Sequence, residues 1–365
     1  MPQDLTLRRW WSRLPAATAA QRPADPRRRL LLLLLLTLGT ALACAQFGAL
    51  PTRLDDWLSP PWLGDASQRS GSAYVLWQLR LPRLLLCLSV GGALALGGVL
   101  AQGLFRNPMA DPALLGITSG AGAAVALCLT VFSAAASSLP PATRLWLLPA
   151  AGFGGALLVC FTLERCARWL APGSIAGLLL TGLALQALCA ALVGLCSNLA
   201  TDEQLRAISF WTLGSLAGAN WTMAAVMLLA LALAAGSAWR MVQSLNALAL
   251  GEAAAAHVGV DVSGLRTRVV VLVALLCALA VAWCGNIGFV GLMAPHLARQ
   301  LVGADLRHAL PMSVLCGALL LLVADTLGRT VAMPAEVPVG VFSALLGAPW
   351  FLVLLRGSLR RMGAA

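Results

Sequence analysis

Hydrophobic positions along this chain form long unbroken stretches rather than stripes. They run Leu30–Leu50, Pro82–Leu104, Ala110–Phe132, Leu145–Leu163, Ser174–Cys196, Trp221–Trp239, Val269–Gly285, Phe289–Val302, Ala309–Leu327 and Val339–Leu355. A hydrocarbon layer of roughly 30 Å is crossed by about 20 helical residues, so the pattern predicts about ten membrane helices. Ala, Leu and Gly follow one another without alternation, which selects helices over the strands of a barrel. Several stretches are shorter than a full crossing, and such segments are tolerated where protein buries them or where they line a cavity. The expected fold is all-α and polytopic. An arginine-rich lead, residues 1–29, precedes a single transmembrane domain, residues 30–365. The largest polar interruption lies at about 240–268.

Composition sharpens this picture. Hydrophobic residues make up 60% of the 365 positions and charged residues 11%, against about 25% charged in soluble domains. The net charge of +11 comes from 25 basic residues, all arginine. Without lysine there is no Walker A loop and no Schiff-base chemistry, so the chain itself is neither an ATPase nor an enzyme of that class. In a membrane protein the positive-inside rule accounts for the charge, and nucleic acid is not an expected partner. Arg8, Arg9, Arg13, Arg22 and Arg27–Arg29, then Arg106, Arg165, Arg168, Arg240, Arg266, Arg268, Arg307, Arg356, Arg360 and Arg361, fall on one side when the spans are counted forward. Asp55, Asp56, Asp65, Asp202 and Glu203 fall on the other. Both termini are therefore expected in the cytoplasm. Arg27–Arg29 and Leu30–Leu36 have the outline of a signal peptide, but Leu42 fits a cleavage box poorly, and Leu30–Leu50 is read as an uncleaved first span.

Chemistry-bearing residues are sparse inside the spans. Ionisable groups at membrane depth are costly and usually functional. Asp325, with Arg329 four residues on, is the main example, an acid-before-base helical pair. His257, His296 and His308 are scattered. No HExxH, paired-carboxylate motif, intramembrane proton relay or CxxC is found. Cys87, Cys128, Cys160, Cys189, Cys277 and Cys316 read as small buried apolar residues, and no metal or cofactor is expected on this chain. The pairs Gly116/Gly120, Gly173/Gly177 and Gly214/Gly218 read as helix-packing glycines. The polar segment Leu245–Arg268, with Glu252, His257, Gly259 and Asp261, is expected to form a short surface helix ended by Gly259.

Four stretches carry a resemblance. "RLPRLLLCLSVGGALALGGVLAQGLFRNPMADPALLGITSGAG" (Arg80 to Gly122) resembles a signature of the FecCD-type permeases, and "GNIGFVGLMAPHLARQLVGADLRHALP" (Gly285 to Pro311) resembles a second. "LLLTGLALQALCAALVGLCSNLATDEQLRAISFWTLGSLAGANW" and "EVPVGVFSALLGAPWFLVLLR" fit as well. That family comprises membrane subunits of type II ABC importers for ferric siderophores, haem and cobalamin. The resemblance implies a homodimer in the bacterial inner membrane, with the pathway between subunits. Two ATPase subunits, which bind ATP and Mg, would sit on the cytoplasmic side, and a periplasmic binding protein on the other. It further implies an ATPase-coupling loop including Leu248, Gly251, Glu252, His257 and Gly259. Arg80, Arg83 and Arg329 would dock the binding protein, and Asn107, Pro108 and Met109 would contribute to a cytoplasmic gate.

Two other classes compete. A stand-alone secondary carrier calls for Asp, Glu or His within the spans, and a membrane enzyme calls for a clustered polar site. Neither is prominent. Leu84–Leu100 and Leu178–Cys196, read as facing the pathway, are almost wholly apolar, which favours haem over a ferric siderophore or cobalamin.

Overall fold

The structure, a computed structural model, describes residues 25–48, 50–60, 70–132, 140–170 and 175–362. The lead up to residue 24 lies outside the described residues. In chain order the helices are α1 (Pro26–Gln46), α2 (Gly71–Phe105), α3 (Ile117–Thr130), α4 (Pro141–Leu170), α5 (Ile175–Leu199), α6 (Asp202–Leu213), α7 (Trp221–Leu248), α8 (Glu252–His257), α9 (Val262–Cys284), α10 (Val290–Val302), α11 (Leu306–Thr330) and α12 (Val339–Met362). A one-turn helix, Leu54–Trp57, follows α1, and a 3-10 turn, Pro112–Leu115, precedes α3.

Seven of these helices, α1, α2, α4, α5, α7, α9 and α11, are long and apolar enough to cross a membrane. The expected spans at 110–132, 289–302 and 339–355 are realised by the shorter apolar helices α3, α10 and α12. Their breaks have local causes. Gly116 caps the start of α3 with φ 72°, and Phe289 opens α10 with φ 65°. The expected second span is longer than its apolar stretch. It begins at Gly71 and includes a π-helical turn, Val75–Arg80.

Helix α2 is the axis of the bundle. In its most apolar window 89% of the residues are buried, against 17% for α5. It packs against α7, α9, α10 and α11, while α3, α4 and α5 form a second group joined to it through α9. Glycine makes this possible at Gly98, where a Cβ would collide with the carbonyl of Gly291 on α10. Lipid supplies no hydrophobic drive between helices, so close backbone approach and dispersion hold them together.

Two expectations are corrected by the packing. Leu84–Leu100 presents little surface to any pathway, because α2 is enclosed on nearly all sides; within this stretch Leu94 borders a cavity. By contrast, α5 presents Leu180, Leu183, Leu188 and Leu195 outward. Gly214/Gly218 is not a helical packing pair. Gly214 ends α6 with φ 71° and lies against the Asn286 carbonyl, and nothing lies within 4 Å of where a Gly218 Cβ would stand. Gly120 does pack as expected, against Gly155 of α4. All ten cysteines are free; nine are buried and Cys166 is half-buried.

Candidate functional site

At one end of the bundle, α2 stops in a left-handed residue. Arg106 has φ 50°, and the Asn107 N–H reaches back to the Gln102 carbonyl at 3.2 Å. This is the reverse turn that usually employs glycine. The Asn107 carboxamide oxygen then accepts the Met109 N–H at 2.9 Å, and Asp111 accepts the Ala113 N–H at 2.8 Å. Asn107–Pro108–Met109 is thus an ordered turn. Asn107 and Pro108 are exposed and Met109 is half-buried. Met109 and Asp111 enter a cavity of about 400 Å³, which Thr118, Asn286, Phe289 and Phe351 also line.

The polar segment after α7 forms the expected helix-and-turn. Gly251, with φ 120°, precedes α8; Gly259, with φ 85°, follows it in open space. Val258 N–H closes the helix onto Ala254 and Val260 N–H returns to Ala255. Ala255 is fully buried and anchors α8. Glu252 pairs with Arg266 of α9 at 3.0 Å, and His257 Nδ1 lies 2.7 Å from the Ala253 carbonyl. Asp261 caps α9, and the Gly264 N–H holds its carboxyl below the usual carboxylate range. One expected surface residue is placed otherwise. Leu248 is 2% exposed and belongs to the core, because its side chain falls on the inner stripe of α7. The exposed apolar residues here are Leu250 and Val258, at 82% and 72%.

At the opposite end, the three singled-out arginines converge, but not as free side chains. Arg80 donates to the carbonyls of Ala45 (2.9 Å), Gln46 (3.3 Å) and Leu50. Arg329 donates to Cys44 (2.8 Å) and Phe47 (2.9 Å). The last carbonyls of a helix have no intrahelical partner, and here two guanidinium forks satisfy those of α1. Arg80 and Arg329 are buried. Arg83 forks onto Asp325, at 2.9–3.2 Å, and onto Glu336, at 2.9 and 3.1 Å. Asp325, 1% exposed, also faces Arg329 Nε at 3.5 Å, so the expected helical pair forms. The network ties α1, α2, α11 and the loop before α12 into one unit. The expectation that all three arginines are displayed to a partner therefore does not match the arrangement. Only Arg83 reaches an exposed carboxylate, that of Glu336. Glu336 carried no signal in the sequence, because its partner lies 253 residues away.

Comparisons with known proteins place this geometry. A model of the FecCD transport family matches residues 29–357. The chain is 42% identical over 340 residues to the hemin transport system permease protein HmuU of Yersinia pestis, covering 93% of this chain and 98% of that protein. It is 37% identical over 324 residues to the Fe(3+) dicitrate transport system permease protein FecD of Escherichia coli (strain K12), covering 88% and 96%. It is 38% identical over 308 residues to the vitamin B12 import system permease protein BtuC of Citrobacter koseri, covering 84% and 89%. Among solved structures, an inward-facing conformation of a metal-chelate type ABC transporter superposes with a TM-score of 0.76 at 34% identity, over 91% of this chain and 99% of that one.

Proposed function

This chain belongs to the FecCD transport family, the membrane permeases of ABC importers whose ATPase sites are on separate subunits, and from that premise we propose that its cargo is haem. The observation that carries the reading is the 42% identity to a hemin permease across nearly both whole chains. The outward apolar face of α5, with Leu180, Leu183, Leu188 and Leu195, supports it, since a flat and largely apolar disc needs few polar partners.

In this reading two protomers enclose the pathway in the bacterial inner membrane, and both termini and α8 face the cytoplasm. Leu250, Val258 and the turn at Gly259 seat on the ATPase, with Glu252 and His257 behind them. Asn107–Pro108–Met109 closes the cytoplasmic side of the cavity. At the periplasmic end, docking of a binding protein falls to Arg83 and its Glu336 neighbour, while Arg80 and Arg329 hold α1.

The test is ATP-driven uptake into proteoliposomes containing the permease, its ATPase and its binding protein. Haem uptake should exceed that of ferric citrate and cobalamin by at least roughly tenfold, as a pocket discriminates between dissimilar ligands. Equal or faster uptake of either competitor would reject haem as the cargo.

A further inference from the structure

A second, smaller pocket lies behind the gate turn. Its volume is about 260 Å³, and its walls include Gln102, Arg106, Pro108, Asn246, Ala249 and Arg299. It therefore touches the turn that carries Met109, the end of α7 that leads into α8, and the end of α10. The Arg106 guanidinium also lies 3.9 Å from where a Cβ on Gly251 would stand, directly before α8.

The charge in this pocket is uncompensated. Among the described residues, Arg106 makes no side-chain hydrogen bond or ion pair. Arg299 donates only to the neutral carboxamide oxygen of Gln102, which is itself buried. The nearby carboxylate is engaged elsewhere. Asp305 accepts from the Arg307 N–H at 2.9 Å and from Asn246 Nδ2 at 2.7 Å, and these bonds hold it below the usual carboxylate range. Two guanidinium groups, one at the cap after α2 and one on α10, thus share a cleft whose described lining includes no carboxylate. Arg299 is half-buried, and a cation so placed is costly unless a partner neutralises it, whereas Arg106 stands exposed at the mouth of the cleft.

We propose that the cleft between Arg106 and Arg299 receives a carboxylate side chain of the cytoplasmic ATPase subunit. This rests on the reading that α8 seats on that subunit. Position favours a protein over a lipid phosphate. Exposed Trp221 and Trp239 bracket α7 about 27 Å apart along its axis, close to the thickness of the hydrocarbon layer. Leu245, Asn246 and Ala249 lie a further roughly 9–15 Å along that axis, past a headgroup layer about 5–8 Å deep. The planar fork of arginine suits bidentate recognition of a carboxylate. The same turn carries Met109 into the larger cavity, so an anion seated on Arg106 bears directly on the gate.

The experiment measures the affinity of the purified permease for its ATPase subunits across a salt series. It compares wild type, Arg106→Gln, Arg106→Lys and Gly259→Val, with folding of each checked by thermal melting. Arg106 is exposed, so its replacement leaves the core intact. At low salt Arg106→Gln should weaken assembly roughly tenfold, with Arg106→Lys intermediate, and the difference should shrink as salt rises. Wild-type affinity in Arg106→Gln alongside weakened Gly259→Val would overturn the carboxylate site and leave α8 docking standing. Wild-type affinity in both would overturn docking as well. A parallel arm repeats the ATPase titration with the permease in nanodiscs with and without phosphatidylglycerol. An Arg106→Gln effect confined to discs that contain phosphatidylglycerol would assign the cleft to lipid and overturn the proposal.

Discussion

Arg80 shows how burial changes the meaning of a residue. A guanidinium near a membrane surface reads equally well as a docking group or as an interfacial anchor. Here it bonds the carbonyls of Ala45 and Gln46 at the end of α1, where its charge also complements the helix dipole, and that of Leu50 in the segment beyond. Hydrogen bonds to charged groups contribute about 1.5–3 kcal/mol each when a partner is removed and a buried group left unpaired. Arg80→Ala should therefore lower the melting temperature of the purified permease with no other protein present. Arg80→Lys should recover only part of the loss, because an ammonium cannot fork across several carbonyls. A melting curve of Arg80→Ala that overlays wild type would show that the capping is energetically idle.

At the scale of the element, α8 is short enough that its own propensity could not sustain it. Isolated helices below about 12–15 residues are marginal in water. It persists because Ala255 is buried against its neighbours, Glu252 pairs with Arg266, and glycines at both ends accept positive φ. The exposed and buried leucines beside it should separate cleanly under mutation. Leu248→Ala should destabilise the permease by about 2–5 kcal/mol, as a core truncation does. Leu250→Ala should stay within about 0.5 kcal/mol of wild type, as exposed substitutions usually do, yet weaken assembly with the ATPase. Chemical denaturation of each permease and a pull-down against the ATPase subunit read the two effects. Assembly unaffected by Leu250→Ala together with Val258→Ala would remove these residues from the docking surface.

For the molecule as a whole, the decisive feature is how closely α2 is enclosed. A methyl group at Gly98 would have to occupy the space of the Gly291 carbonyl, and backbone cannot move aside as a flexible side chain can. Gly98→Ala should cost about 1–3 kcal/mol through overpacking, lowering the yield of folded permease. The control is Gly236→Ala on the outer face of α7, which meets nothing within 4 Å. It should be neutral or gain up to about 1 kcal/mol from helix propensity. Equal melting temperatures for the two variants would contradict the α2–α10 contact described above.

Residue order by itself determined the helical, membrane-embedded class, the approximate number of apolar segments, the turn at Asn107–Pro108–Met109 and the helix-and-turn at Glu252–Gly259. Those features follow from local chemistry: run length against hydrocarbon thickness, the missing donor of proline, and the φ freedom of glycine. The Asp325–Arg329 pair was legible for the same reason, because four residues is one helical turn. Only the tertiary structure decided which apolar faces are enclosed, since α2 and α5 have similar composition and opposite exposure. It also decided that Arg80 and Arg329 close α1 while Arg83 reaches Glu336, and that Arg106 and Arg299 share a cleft. Each of those outcomes joins groups far apart in the chain, where a guanidinium's partner is set by how the helices pack and not by its neighbours in sequence.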